Sequence, residues 1–167
     1  MSNVIPFDYQ GVPVQFNLDG WINATKVAKD SGLRIDNWLR NQETEKYIEA
    51  LSRHLNTSNP RDLVLTIKGR NGGTWLHPKL AVAFARWVSA DFAVWCDMRI
   101  DGLLHGNLTL RQRFDQACRK LDDARDLASM NGRELARWRN RKPALEHEVD
   151  HWRTQLQLVL SFEGDAA

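Results

Sequence analysis

The run Lys68-Gly69-Arg70-Asn71-Gly72-Gly73-Thr74 sets two cations and three glycines between two apolar segments, residues 63–67 and 74–77. Lysine and arginine pair with phosphate. Glycines let backbone amides approach a flat or anionic surface, because no Cβ stands in the way. The pattern also fits an ordinary surface hairpin, since Asn71-Gly72 is a common two-residue turn signal. A second group, Asn37, Arg40 and Asn41, consists of side chains that hydrogen-bond base edges or phosphates. Lys26, Lys29 and Arg34 precede it, and Lys79 follows the glycine-rich run.

Two further patterns mimic known chemistry. His147-Glu148-Val149-Asp150-His151 spells the zinc motif H-E-x-x-H, but only 16 residues follow it and none is a histidine. A zinc peptidase needs a third ligand and a walled cleft, so a solvated helix face is the expectation, with no metal and no catalysis. Gly69-Arg70-Asn71-Gly72 matches the GXXG loop of KH RNA-binding domains. That loop joins two helices, whereas this one joins two β-like runs.

The elements that must position these residues follow from pattern. Residues 4–9 and 14–18 flank Gln10-Gly11-Val12-Pro13 as a hairpin. Asn23 caps a short helix that closes at Ser31-Gly32, and a second helix starts near Ile35 with Asp36 as a possible cap and continues or restarts over 44–55. Two helices across a glycine turn make a helix-turn-helix candidate. The polar residues 56–62 form a loop, and Pro78 opens an apolar helix over 79–88. Ser89 caps another over 90–104. Trp21, Trp38, Trp75 and Trp87 alternate with apolar positions and are assigned to packing. His77 is assigned to the helix start or the hairpin rather than to a ligand role.

The chain has 167 residues, 43% of them hydrophobic and 26% charged, with seven tryptophans, so disorder throughout is excluded. A net charge of +2 does not by itself imply nucleic acid. Its distribution is more informative, because residues 53–79 and residues 133–142 each carry a local excess of +4. No apolar run reaches the ~18 residues of a membrane span. The two cysteines and the lack of a basic, apolar N-terminal leader point to a reducing cytoplasm, where the Asn-x-Ser/Thr triplets at Asn23, Asn56 and Asn107 are chance matches.

Several blocks taken together are distinctive. Asp19-Gly20-Trp21-Ile22-Asn23-Ala24-Thr25-Lys26, Trp38-Leu39-Arg40-Asn41, Tyr47-Ile48, residues 69–81 and residues 87–94 closely resemble, in order, the KilA-N domain of phages, prophages and large DNA viruses, a relative of the fungal APSES DNA-binding domain. The resemblance covers roughly residues 3–103. It implies a small α+β, winged helix-turn-helix-like domain over residues 1–105, duplex DNA as partner, and no catalysis, cofactor or small-molecule substrate. By position, residues 36–41 fall at or near the DNA-facing helix and residues 68–74 form the wing. The resulting contact set is Lys26, Lys29, Arg34, Asn37, Arg40, Asn41, Lys68, Arg70, Asn71, Gly72, Gly73, Thr74 and Lys79. A phage or prophage transcriptional regulator in the host cytoplasm or nucleoid follows as the expectation. The alternatives are a protein-interaction adaptor acting through the C-terminal helices, and RNA binding through the basic hairpin.

From Leu110 to Val159, apolar residues recur at alternating steps of four and three, broken by Asn131 and Lys142. This heptad seam predicts an all-α module over residues 106–167. Asn131-Gly132-Arg133-Glu134 and Pro143 predict breaks, giving helices over 108–130, 132–141 and 143–161. The helices either fold back as an antiparallel hairpin or form a homodimer through residues 107–161. Dimerisation is favoured because it would set two readers on two half-sites. Arg137, Arg139 and Arg141 offer a second phosphate-contacting surface or a solvated basic face.

Overall fold

The computed structural model describes residues 4–57, 59–69, 72–130 and 132–165. The chain is mixed α+β and divides into two compact units, residues 6–104 and residues 105–167 together with residues 1–5.

The first hairpin pairs β1, Val4–Tyr9, with β2, Val12–Asn17. Its two-residue turn, Gln10-Gly11, has positive φ at both positions, the geometry that matches strand twist. The turn is shorter than expected, and Val12 and Pro13 belong to β2. Proline is tolerated there because the next strand, β3, is only Ile22–Asn23 and meets β2 at Phe16, leaving the Pro13 side open. β3 then pairs with β5, Gly73–Leu76, which pairs with β4, Val64–Ile67, giving one antiparallel sheet in the order β1-β2-β3-β5-β4. A two-residue strand leaves no periodic trace, so two separate hairpins were the sequence expectation.

Three α-helices separate β3 from β4: α1, Ala24–Asp30; α2, Ile35–Leu39; and α3, Gln42–His54. A 3-10 turn, Pro60–Leu63, then forms within the expected loop, where Asn59 Oδ1 accepts from the Arg61 N–H at 2.9 Å and Pro60 starts the turn. Asn23 caps α1, its Oδ1 accepting from the Lys26 N–H at 3.3 Å. Asp36 does not cap α2. The N-cap is Arg34, and Asp36 sits in the first turn, where its carboxylate faces the positive end of the helix and lies 3.7 Å from Arg34. After β5 come α4, Pro78–Val88, and α5, Ala90–His105. The Ser89 hydroxyl oxygen accepts from the Phe92 N–H at 3.0 Å, capping α5.

The core of this unit is aromatic and aliphatic. Phe16, Ile22, Leu76, Leu80, Phe84 and Cys96 are fully buried. Trp38 meets Phe84 edge-on at 5.3 Å, which seats α2 on α4, while Tyr9, Phe92 and Trp95 cluster with centroids 5.0–5.6 Å apart. Burial, and secondarily Asp97, pushes the Cys96 thiol up to about 12.

The second unit is a helical hairpin of α6, Leu108–Met130, and α7, Gly132–Asp165. Lys120 bonds Glu148 at 2.8 Å, and the Arg113 guanidinium lies 4.9 Å over Trp152. These pairs run in opposite order along the two helices, so the packing is antiparallel. Phe114, Ala117, Ala128, Val149 and Leu156 of the heptad seam are buried on one chain. The expected break at Pro143 is absent, and α7 runs through it. Pro143 is exposed, so water can take the Arg139 carbonyl that proline leaves without a donor, and packing along the seam outweighs the lost bond. Asn131 lies outside the described residues. Among those described, no helix is long and apolar enough to cross a membrane.

Candidate nucleic-acid interface

The candidate cations of the first unit lie on α1, at the two ends of α2, and on and beside the β4–β5 hairpin. On α1, Lys26 is half-buried and Lys29 exposed; at i and i+3 they share one side of the helix. Lys29 lies in the last turn, where a cation complements the helix dipole. On α2, Ile35 and Trp38 are buried, leaving Asn37 outward; Arg34 and Arg40 flank the helix, both exposed. Asn41 plays a local part as well, since it caps α3 by accepting from the Glu43 N–H at 3.0 Å. The exposed side of α3 mixes Glu43, Glu45 and Glu49 with Lys46 and Arg53, so this longest of the three helices has no net positive face.

The β4–β5 hairpin carries the third group. Lys68 is exposed just past β4, and Gly72 donates its N–H to the Gly69 carbonyl at 2.9 Å, closing the turn. That amide is therefore committed within the loop and is not directed at a ligand. Arg70 and Asn71 lie outside the described residues. At the base, the His77 N–H donates to the Leu63 carbonyl at 3.0 Å. His77 also caps α4, its Nδ1 accepting from the Lys79 N–H at 3.3 Å. Burial, and then the neighbouring Lys79, holds the His77 imidazole below its ordinary value of 6.5. Lys79 is exposed at the positive end of α4, where a cation opposes the helix dipole. It lies at the opposite end of β5 from Gly73, on the order of 10 Å away at strand rise.

The structure thus joins part of the expected set. Thr74 donates its backbone N–H to Thr25 Oγ1 at 2.8 Å, drawing the hairpin to the start of α1 beside Lys26. Thr25 and Asn23 were not among the sequence candidates, because nothing local marks a bond between positions 49 apart. Among the described residues, Lys26, Lys29, Arg40, Lys68 and Lys79 have no carboxylate partner, and Arg34 alone of the set forms an ion pair. In the helical unit, Arg119, Lys120, Lys142 and Arg153 all pair with acids.

In the zinc-like pattern His147 and His151 are both exposed on the helix surface. Val149 is buried in the helical seam, Glu148 bonds Lys120, and His151 packs edge-on against Trp152 at 4.7 Å. Gly69–Gly72 joins two strands, not the two helices of a KH loop.

These features define an α+β domain with a five-stranded antiparallel sheet, a compact helical insertion and cations without an acidic partner on α1, at the end of α2 and on one hairpin. The chain belongs to the KilA-N domain family, whose model matches residues 5–106. Residues 109–161 match the ORF11CD3 domain. A KilA-N domain-containing protein of Acanthamoeba polyphaga mimivirus is 34% identical over 72 residues, covering 41% of this chain and 19% of the relative. Protein kilA of Escherichia phage P1 is 30% identical over 86 residues, covering 49% of this chain and 31% of its own length. The chain therefore spans less than a third of these relatives. No solved structure matches it.

Proposed function

We propose that the protein binds duplex DNA as a phage- or prophage-type transcriptional regulator. In this reading residues 1–105 form the DNA-binding domain in a winged helix-turn-helix manner. Asn37, Arg40 and Asn41 face the major groove, and the Lys68–Thr74 hairpin, together with Lys26, Lys29, Arg34 and Lys79, holds the backbone. One observation carries it: among the described residues, five of the six cations of the candidate set, Lys26, Lys29, Arg40, Lys68 and Lys79, lack an acidic partner. Membership of a DNA-binding domain family supports the same reading.

Anisotropy titration of the whole chain against random duplex, single-stranded DNA and RNA at two salt concentrations tests it. Duplex binding that weakens steeply with salt is expected, because phosphate contacts release counterions. No duplex binding at low salt would refute the reading and leave the adaptor role, and a preference for RNA would move the function to that partner. Residues 106–167 act in self-association. The seam is occupied within one chain, but Leu127 and Leu135 remain 59% and 49% exposed near the hairpin bend, available to a second copy. Light scattering of the whole chain should give a dimer mass, and a monomer would leave residues 106–167 as an intramolecular hairpin.

A further inference from the structure

β5 is tied to α1 by contacts beyond the sheet ladder. The β3–β5 pairing ends at Asn23 opposite Trp75, because the chain turns into α1 at Ala24. The next N–H on β5, that of Thr74, would lack an acceptor on this side, and Thr25 Oγ1 supplies one at 2.8 Å. Beside it Gly73 lies so close that a Cβ there would stand 2.7 Å from Asn23 Oδ1. Asn23 has little freedom to yield. It is 3% exposed, its Nδ2 donates to Gln15 Oε1 at 3.1 Å, and its Oδ1 accepts from the Lys26 N–H.

Resting on the duplex-DNA reading above, we propose that Thr25 and Asn23 are positioning residues for DNA binding. They lock the β4–β5 hairpin to the first turn of α1, so that Lys68 and Lys26 meet one DNA backbone as a pre-set group. A hairpin already held in place loses little entropy on binding. Released from Thr25, it would have to be ordered by the DNA itself, and the Lys68 contact would be weakened or lost.

The test is anisotropy with a duplex at two salt concentrations on the whole chain and on Thr25→Val, Thr25→Ser, Lys68→Ala and the Thr25→Val/Lys68→Ala double variant. Lys68→Ala should weaken binding about tenfold at 0.1 M salt, the worth of one phosphate contact at a log–log slope of about 0.9. Thr25→Val keeps the side-chain shape, removes the acceptor and should lose a similar factor, and Thr25→Ser should restore it. The double variant should bind no worse than Lys68→Ala, because both changes remove the same contact. Amide exchange should rise at Thr74 and stay slow at Leu76; if Thr25→Val disturbs Leu76 too, Thr25→Ala replaces it in the same comparison. Wild-type affinity in the Thr25 variants, or losses that multiply with Lys68→Ala, would overturn the positioning role while leaving DNA binding intact. A wild-type chain that binds no duplex would overturn both.

Discussion

Two glycines with positive φ allow the contact at the tip end of β5 to be weighed. Gly32, at φ +70, closes α1 and has nothing within 4 Å of the place a Cβ would take. Gly73, at φ +146, has Asn23 Oδ1 at 2.7 Å from that place. Gly32→Ala should cost only the backbone penalty of an L-residue on that side of φ space, roughly 1–2 kcal/mol. Gly73→Ala carries at least that penalty, because L-residues essentially avoid φ +146, and must also push away the oxygen that caps α1. Losing that cap adds about 1 kcal/mol, and disturbing the buried Asn23–Gln15 bond adds a similar amount. The total for Gly73→Ala is then about 3–4 kcal/mol. Five of the seven tryptophans lie within residues 6–104, so urea unfolding followed by tryptophan fluorescence reports mainly on this unit. With a slope of roughly 2 kcal/mol per molar urea, Gly73→Ala should lower the midpoint by about 1.5–2 M and Gly32→Ala by about half as much. Equal shifts for the two variants would show that β5 does not press on Asn23 at Gly73.

Lys68→Ala should lower duplex affinity for all sequences and reduce the salt slope by about 1, whereas Asn37→Ala or Arg40→Ala should change sequence preference, as read from titrations with a panel of duplexes; a normal slope in Lys68→Ala would remove the hairpin from the interface. Because the folded protein holds His77 below 6.5, the unfolded chain takes up the proton first as pH falls. The stability this neutral imidazole contributes is complete above 6.5 and declines on acidification through the folded pKa. His77→Asn, which caps without titrating in this range, should flatten that part of a stability-against-pH curve, and an unchanged curve would clear His77 of the effect. Pro143→Ala should raise the thermal midpoint of the helical unit, since alanine restores a bond to the Arg139 carbonyl and proline costs up to about 3 kcal/mol in a helix interior. No rise would contradict a regular helix through position 143.

Most of the elements were legible because their signals are local. Asn23, Ser89 and Pro78 mark helix starts through capping chemistry that acts within three residues, and the heptad steps from Leu110 to Val159 encode a packed face directly. The misreadings share one physical origin, which is tertiary contact overriding a local preference. Pro143 is a strong stop signal in isolation, yet a seam that buries Phe114, Val149 and Leu156 carries α7 past it. Asp36 has the side chain of a cap but lies within the first turn of α2, set there by the burial of Ile35 and Trp38 on the other side of the helix.

The candidate interface was legible in composition but not in geometry. Lysine, arginine and glycine types name phosphate as a partner wherever they sit, so the cations on α1, α2 and the hairpin could be picked out one by one. Which of them act together depends on β3, two residues long, and on the bond from the Thr74 amide to the Thr25 hydroxyl. Neither leaves a periodic mark. Both exist because α1 begins where the β3–β5 ladder stops, so the first turn of the helix must finish the hydrogen bonding of the strand beside it. The same constraint separates Lys79 from the hairpin tip, at the far end of β5, and draws Lys26 towards it. A reading from residue types treats these two lysines alike. The sheet does not, and loss of Lys26 should therefore couple to the hairpin variants where loss of Lys79 adds independently.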